Sequence, residues 1–489
     1  MRVAVHWFRR DLRLGDNTAL CAATRDGDVV VPLFVLDGRL LRAPSIGAPR
    51  VAFLLDSLRR LADGLRRAGS DLIVRCGDPV QEVVSLARAV GAEAIYLNDD
   101  YSPYARRRDA AVAKAAARHG VAVHALEDLV LVEPSECVKD DGTPYTVFSP
   151  FARRWRAFEK GAPRPRPRLS RLPNELRRAA GGLPLPRDAS ALGLRLDASI
   201  EPGGEAQATE RLARFVEEHL PSYRSTRDFP ARDATSHLSP HLKFGTVSAR
   251  TVYHAAAGWI GEELVMLDPR NPRRALERSA AHRLHEGGAF LDELCWRDFY
   301  QAILHHFPAV ATRPFQPRFK RFSWPERDRA FVGAWRDGRT GFPIVDAGMR
   351  QLATTGWMHN RLRMVVAMFL TKTLLVDYRV GERIFLQRLV DGDVAANNGG
   401  WQWSASTGTD AAPYFRIFSP LSQAKRFDPD GEYVRRFVPE LSDVRAPLVH
   451  EPAREPLLLA RSGYPPPCVD YAERRARALA LLAPRAGLA

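Results

Sequence analysis

The sequence predicts an α/β protein with an N-terminal parallel sheet and a second, mainly helical domain. Short β-branched runs alternate with helical stretches over the first 130 residues. From about residue 206 the apolar residues have helical spacing, and this part of the chain contains seven of the nine tryptophans. A proline-rich stretch separates the two patterns. At 489 residues the chain is too long for one ordinary hydrophobic core, which favours at least two domains.

The N-terminal pattern predicts a Rossmann-like sheet, with crossover helices at residues 50–68, 79–90 and 104–119. Such sheets bind ligands at the carboxyl ends of their strands. No GxGxxG follows a strand, so the dinucleotide fingerprint is absent. The predicted strands are 3–5, 29–36, 72–74, 94–97 and 121–123.

The boundary between the two patterns is a surface linker. Residues 161–205 contain seven prolines and two Gly-Gly pairs, without sustained periodicity and with at most short helices. We therefore expect an α/β domain at residues 1–130, a linker at 131–205 and a helical domain at 206–480.

Composition favours a soluble, cytoplasmic protein, and we expect it to be a monomer. The chain is 45% hydrophobic and 26% charged, with no apolar run long enough for a membrane span and no signal-peptide core at its N-terminus. Its five cysteines lie far apart without a CxxC pair, which supports neither a metal site nor a disulfide framework.

The chain is strongly basic, with a formal net charge of +15. A basic surface attracts phosphates and releases counterions, which favours a nucleic-acid partner. Alternatively, the positive charge reflects codon usage rather than a binding partner, since only seven of the 72 basic residues are lysine and codon bias produces such an arginine excess. Charge alone leaves both interpretations open.

Residues 290–300 have helical spacing. It places Glu293, Trp296 and Arg297 on neighbouring positions of one face. A carboxylate beside an indole suits the recognition of a flipped base, although an amphipathic helix with a buried tryptophan is the commoner explanation.

Residues 357–364 lead into an apolar helix. The spacing puts Trp357, Asn360 and Met364 on one face, with Arg363 alongside. Unpaired amide and guanidinium groups are costly to bury, so these groups either satisfy each other in the core or bind a polar ligand.

Two further segments are rich in polar groups. In residues 235–240, Ser239 is the predicted N-cap and Pro240 the first helical residue, an arrangement that binds a phosphate or simply caps the helix. Residues 391–403 combine two carboxylates, two asparagines, three glycines and two indoles, a poor composition for a helix or strand. They indicate a site, with Mg²⁺ ligands or helix caps as alternatives.

Together these segments resemble the photolyase and cryptochrome family. The motifs occur in order along nearly the whole chain: WFRRDLRLGDN, KDDGTPYTVFSPFARRW, TGWMHNRLRM and DGDVAANNGGWQWSASTGTDAAPYFRIFSP. The resemblance implies an α/β antenna domain and a helical domain that binds folded FAD. It also implies repair of cyclobutane pyrimidine dimers in DNA, in which light-excited reduced FAD lends one electron to the flipped lesion.

The resemblance also implies a set of FAD contacts. Asn397 matches the position facing the flavin's central-ring nitrogen, where photolyases carry Asn, plant cryptochromes Asp and animal cryptochromes Cys. An amide there suits the reduced anionic flavin that repair needs. The implied cofactor-binding residues are Tyr223, Thr235, Ser236, His237, Leu238, Ser239, Phe290, Arg363, Asp391, Gly392, Asp393 and Asn397.

In the implied lesion pocket, Glu293 stabilises the dimer radical anion, while Trp296 and Trp403 pack against the flipped bases. His359-Asn360 stands where enzymes that repair (6-4) photoproducts have a His-His pair, which favours the cyclobutane dimer. The implied DNA-binding residues are Arg227, Glu293, Trp296, Arg297, Asn360, Arg361, Met364 and Trp403.

Two positions depart from the family pattern. The aromatic chain that photoreduces the flavin would be Trp401, Tyr378 and Trp324, with tyrosine in place of the middle tryptophan. Tyrosine oxidation usually requires proton loss, so photoreduction is expected to be slow or to use another aromatic such as Trp357. Phe290 replaces a tryptophan often found at the flavin, which keeps packing but loses an indole donor.

An antenna chromophore is also implied. The Asn-Glu pair that holds a folate antenna appears here as Tyr104-Ala105, whereas Arg50, Asp100 and Lys243 resemble positions in deazaflavin-binding relatives. The expected antenna is therefore 8-hydroxy-5-deazaflavin, with methenyltetrahydrofolate as the alternative.

Two other functions fit parts of the sequence. A signalling cryptochrome is disfavoured by Asn397 and by the lack of a long extension beyond the common core. A basic nucleic-acid-binding module without catalysis would be colourless and indifferent to light, which the flavin motifs disfavour.

Overall fold

The computed structural model describes residues 1–267, 276–326, 328–410 and 416–482. The chain divides into two compact units. The first comprises Met1–Leu196, Glu201–Tyr223 and Ser236–Pro308, and the second comprises Asp197–Ile200, Arg224–Thr235 and Ala309–Ala489. The domain boundaries at 130 and 205 stay predictions.

The first unit contains the predicted parallel sheet. Every pair of neighbouring strands is parallel, and the strand order is β3-β2-β1-β4-β5. The chain therefore reverses its direction of strand addition beside β1, where Rossmann-like sheets bind ligands. The strands are β1 (Val3–Phe8), β2 (Val29–Asp37), β3 (Ile73–Gly77), β4 (Ala94–Asn98) and β5 (Ala122–Leu126).

The burial of each strand explains how easily it could be recognised from the sequence. Every residue of β1 and β2 is buried, so these central strands are continuous apolar runs rather than alternating ones. Edge strand β5 is mostly exposed, with no fully buried residue. The structure starts β3 and β5 one residue later than predicted and extends all five strands by one to three residues at the carboxyl end.

Helices surround the sheet and continue beyond it. The longest, α12, has 29 residues and carries the 290–300 segment, as predicted. The predicted linker contains α6 and α7. Up to Phe307 the helices are α1 (Thr18–Asp26), α2 (Gly38–Leu41), α3 (Ala48–Arg67), α4 (Pro79–Ala89), α5 (Pro103–Ala117), α6 (Phe148–Ala157), α7 (Asn174–Ala180), α8 (Glu205–Arg214), α9 (Tyr223–Thr226), α10 (Ser239–Phe244), α11 (Ala249–Ile260) and α12 (Arg278–His306).

The second unit is helical, as predicted. Its core is centred on Trp335, Tyr378, Trp401 and Tyr433, each at most 2% exposed. Within the described residues, no helix is long and apolar enough to span a membrane. The helices are α13 (Arg329–Arg336), α14 (Pro343–Thr355), α15 (Asn360–Met368), α16 (Tyr378–Arg388), α17 (Val394–Ala405), α18 (Pro420–Phe427), α19 (Glu432–Phe437), α20 (Pro456–Ser462) and α21 (Tyr471–Leu482).

Candidate functional site

Helix α12 presents the predicted carboxylate and indole on one face. Glu293 and Trp296 are partly exposed and lie three residues apart, while Leu294 and Cys295 between them are buried. One turn earlier, Phe290 is buried. The helix therefore offers an acidic and an aromatic group beside buried neighbours.

Phe290 belongs to an aromatic cluster in the first unit. Its ring lies 4.6 Å from that of Phe215 and 5.4 Å from that of Tyr223, with ring planes tilted or perpendicular. Tyr223 is itself only 6% exposed. These contacts fix the predicted cofactor-binding residues Tyr223 and Phe290 to each other.

Trp296 and Arg297 have different surroundings. Trp296 stacks on Phe148 with ring centroids 3.6 Å apart. The Arg297 side chain is only 15% exposed and donates to the backbone oxygen of Leu129 at 2.7 Å. Both of these predicted DNA contacts are partly exposed, and each is held by neighbouring residues.

The 235–240 segment forms a helix start, but the prediction of Ser239 as N-cap was wrong. Helix α10 already includes Ser239, and its N-cap is Leu238, which makes no side-chain cap bond. The reason is local: the Ser236 hydroxyl accepts from the Leu238 amide at 3.4 Å and turns the chain one residue early. His237 has a φ of +50°, so the backbone is left-handed there.

In the second unit, Arg363 and Asp391 form a two-pronged ion pair. The guanidinium nitrogens donate to the two carboxylate oxygens at 3.2 and 2.8 Å, and Nε donates to the backbone oxygen of Met358 at 2.8 Å. The Asp391 side chain is 2% exposed and that of Arg363 is 27% exposed. Arg363 therefore compensates a buried carboxylate and remains accessible.

The prediction that Trp357 shares a helical face with Asn360 and Met364 was wrong. Gly356 ends α14 with a left-handed backbone, and α15 begins only at Asn360. His359 caps α15, since its Nδ1 accepts from the Arg361 amide at 3.2 Å. Asn360 is exposed and Met364 half-buried, so both are accessible on this helix.

The expectation that residues 391–403 make a poor helix was also wrong, because α17 spans Val394–Ala405. Asp393 is its N-cap and accepts from the amides of Ala395 and Ala396. Asp391 is held by Arg363, so one carboxylate of the proposed Mg²⁺ pair caps a helix and the other is ion-paired. Among the described residues, no cluster of three His, Cys, Asp or Glu side chains could hold a metal.

Glu382, which sequence analysis missed, holds the two asparagines of α17. Its backbone oxygen accepts from Asn397 Nδ2 at 3.0 Å, and its carboxylate accepts from Asn398 Nδ2 at 2.9 Å. Burial raises the pKa of Glu382 to about 7, against the lowering effect of the Asn398 bond. These bonds compensate for the low helix propensity of asparagine and orient Asn397.

Trp401 lies in the core against α16. A Cβ at Gly381 would come within 2.1 Å of its ring, so glycine is required for this close approach. Trp401 is 4.9 Å from the ring of Phe385 and 6.0 Å from that of Trp335, which sequence analysis also missed. Its Nε1 has no hydrogen-bond partner among the described residues.

Tyr378 and Trp324 are buried in the same core, at 1% and 8% exposure. Within the described part of the chain, Tyr378 has no ring contact with either tryptophan and its hydroxyl has no hydrogen-bond partner. Burial raises its pKa. The structure thus brings Trp401 against Trp335 rather than against the predicted tyrosine.

Arg361 already has partners in the second unit. Its guanidinium pairs with Asp228 at 2.7 Å and lies 4.3 Å above the ring of Phe427. Two further predicted DNA contacts in this unit, Arg227 and Trp403, are partly exposed. Arg361 is therefore held in a fixed orientation.

The predicted antenna residues lie in the first unit, where Arg10 joins two of them, Asp100 and Lys243, beyond the carboxyl ends of β1 and β4. Arg10 donates from Nε to the backbone oxygen of Lys243 at 3.2 Å and pairs with Asp100 at 3.4 Å. Burial works to raise the pKa of Asp100, but Arg10 and the Ser102 amide lower it to about 2. Arg50 donates to the backbone oxygen of Ser45.

At the position of the absent folate-binding pair, Tyr104 contacts other residues of the first unit. The Tyr104 hydroxyl donates to Asp37 at the end of β2, and the Arg108 guanidinium lies 5.7 Å above the Tyr104 ring. Ala105 is 2% exposed. Neither residue offers the acceptor pair that the folate pattern requires.

Comparison with known proteins matches both parts of the chain to family models. Residues 4–168 match the model described as DNA photolyase, and residues 290–483 match the FAD binding domain of DNA photolyase. The deoxyribodipyrimidine photo-lyase of Synechococcus is 41% identical over 97% of this chain and 95% of its own.

Solved photolyase structures also match this chain over nearly its whole length. The class III photolyase of Agrobacterium tumefaciens has a TM-score of 0.83 and 37% identity, covering 98% of this chain and 97% of its own. The Sulfolobus tokodaii photolyase, described with two FAD molecules and a novel light-harvesting cofactor, has a TM-score of 0.81 and 33% identity, with coverage of 98% and 99%. The chain belongs to the DNA photolyase family.

Proposed function

We propose that the protein repairs cyclobutane pyrimidine dimers in DNA under blue light, with FAD as its cofactor. The observation that carries this proposal is 41% identity to a curated deoxyribodipyrimidine photo-lyase over 97% of the chain. We further propose that it works as a cytoplasmic monomer, with an antenna domain at 1–130, a linker at 131–205 and a catalytic domain at 206–480.

Each unit, taken by itself, contains residues whose chemistry suits FAD. Arg363, partly exposed, provides a cation for polar groups of the cofactor, and Asn397, held by Glu382, provides a fixed amide. In the first unit, Tyr223 and Phe290 form a buried aromatic pair, and the left-handed turn at His237 leads into α10. When bound, reduced FAD supplies the light-driven electron.

The protein's own contribution is to bind and orient the lesion. Glu293 would accept or donate a hydrogen bond at the base edge, and Trp296 would stack on the flipped ring. Arg227 and Arg361 would contact phosphates, which fixes the register of the DNA. Repair is favoured over signalling because the residue held by Glu382 is an amide, as in photolyases.

Illumination tests the proposal. Purified, reduced protein is incubated with dimer-containing oligothymidine, and intact thymine is measured after blue light and in a dark control. We expect recovery only in the light. A protein that binds flavin but recovers thymine in neither sample would contradict the proposal, and the same assay with a (6-4) lesion would identify that alternative.

We also propose that, in flavin photoreduction, Trp401 would give an electron to the flavin and would itself be reduced by Trp335 rather than by Tyr378. The Tyr378 hydroxyl is buried and has no hydrogen-bond acceptor among the described residues, so none of them would take the proton that oxidation releases. Trp335 is fully buried and in ring contact with Trp401.

Four variants test this electron path. Starting from oxidised flavin with an external thiol, Trp401→Phe should slow photoreduction at least ~10-fold and Trp335→Phe severalfold, while Tyr378→Phe changes it less than about twofold and Tyr378→Trp accelerates it. As control, all four should repair dimers normally when chemically reduced. A large loss in Tyr378→Phe would contradict the proposal.

For the antenna we propose 8-hydroxy-5-deazaflavin, bound near Arg50, Asp100 and Lys243. The replacement of the folate-binding Asn-Glu pair by Tyr104-Ala105, with the Tyr104 hydroxyl bound to Asp37, supports this choice. The Sulfolobus tokodaii relative, described with two FAD molecules, shows that other chromophores occur in the family.

Reconstitution distinguishes the chromophores. We expect purified protein to bind deazaflavin at one per chain in addition to FAD, and Arg50→Ala to weaken that binding about 10- to 100-fold through loss of a charged contact. Arg39→Ala is the matched control, because Arg39 is exposed and pairs with Asp78. Preferential binding of methenyltetrahydrofolate or a second FAD would contradict the assignment.

A further inference from the structure

The ring of Trp296 is covered on one face by Phe148. The two centroids are 3.6 Å apart and the planes differ by 4°, so the rings overlap face to face. Aromatic pairs in proteins usually prefer offset or perpendicular arrangements at 4.5–7 Å. Among the ring pairs of the described residues, this one has the shortest separation.

Further contacts fix both rings. Phe299 meets Trp296 edge-on at 5.6 Å, and Tyr300 is tilted against it at 5.5 Å. Phe148 is 2% exposed, begins α6 and is perpendicular to Phe299. The indole plane is therefore set by the protein, while Trp296 remains partly exposed.

An indole has two faces, and Phe148 occupies one of them. A base that stacks on Trp296 must therefore use the other face, and it meets a ring that is already oriented. Holding a side chain in its bound conformation removes the cost of ordering it upon binding.

We propose that Phe148 is a positioning residue for lesion binding, which holds the Trp296 indole in the plane that stacks on a flipped pyrimidine. This inference rests on the proposed function. In this proposal Phe148 does not contact the lesion, so a change at Phe148 must affect lesion binding through Trp296.

A double-mutant cycle tests this dependence. Binding to dimer-containing and undamaged DNA is measured for Phe148→Leu, Trp296→Ala and the double variant. We expect Phe148→Leu to weaken dimer binding about 3- to 10-fold without changing undamaged-DNA binding, and to have no further effect once Trp296 is alanine. The repair rate at saturating dimer should stay the same, because only orientation before binding is lost.

Two variants separate positioning from general stability. Phe148→Tyr keeps the ring and should retain wild-type discrimination between damaged and undamaged DNA. Phe151→Leu removes an equally buried ring that contacts Phe299 but not Trp296, and should leave that discrimination unchanged.

Two different outcomes would contradict the positioning role and the lesion pocket. If Phe148→Leu leaves dimer binding unchanged, or weakens it equally in the Trp296→Ala background, the positioning role is overturned. If Trp296→Ala itself binds dimer DNA as tightly as wild type, the proposed lesion pocket fails, and with it the basis of this inference.

Discussion

Removing Glu293 and Trp296 together should abolish light-dependent repair while FAD stays bound. A charged hydrogen bond is worth about 1.5–3 kcal/mol and base stacking about 1–3 kcal/mol. Their combined loss corresponds to roughly 10²- to 10⁴-fold in lesion binding and repair. Repair is measured as intact thymine recovered per absorbed photon from dimer-containing oligothymidine.

Controls on the same helix make this result specific. His282→Ala with His285→Ala changes two exposed residues of α12 and should repair normally. Glu293→Gln keeps a hydrogen-bonding group but removes the charge, so it should lie between wild type and Glu293→Ala. Normal repair by the Glu293→Ala, Trp296→Ala variant would exclude this face as the lesion pocket.

The second large effect is expected at the Arg363–Asp391 pair. Arg363→Met leaves the carboxylate of Asp391, 2% exposed, without its counter-ion. Breaking a buried pair in this way costs about 3–5 kcal/mol of unfolding free energy. Urea unfolding measures the loss, and visible absorbance of the purified protein measures retained flavin.

A double variant separates stability from flavin binding. Arg363→Met with Asp391→Leu replaces both charges by apolar groups, so most of the lost stability should return. The protein should nevertheless be purified without flavin, because the accessible guanidinium is gone. A stable, yellow double variant would show that the pair is only structural.

The elements that the sequence predicted correctly are those determined by residues close to each other in the chain. Strands β1 and β2 are buried on both faces and therefore appear as unbroken apolar runs. The face of α12 followed from helical spacing alone. The strand ends were less certain, because hydrogen bonding to a neighbouring strand rather than side-chain pattern decides where pairing stops.

The sequence-based predictions were wrong where contacts with residues distant in the chain outweigh the local preference for secondary structure. Helix α17 forms despite its asparagines and glycines because Glu382, on another helix, binds Asn397 and Asn398. The stack of Phe148 on Trp296 joins residues 148 positions apart, and no spacing rule predicts it. At Trp357, the left-handed Gly356 ended the helix before the apolar pattern did.

The glycine at 381 has a consequence for electron transfer. Electronic coupling between aromatic groups falls steeply with their separation, and the missing side chain lets α16 lie directly against the indole of Trp401. In the proposed path, a residue that carries no electron thereby controls a tunnelling distance. Any larger residue at position 381 would shift the indole and change the transfer rate, although every redox-active ring remained in the sequence.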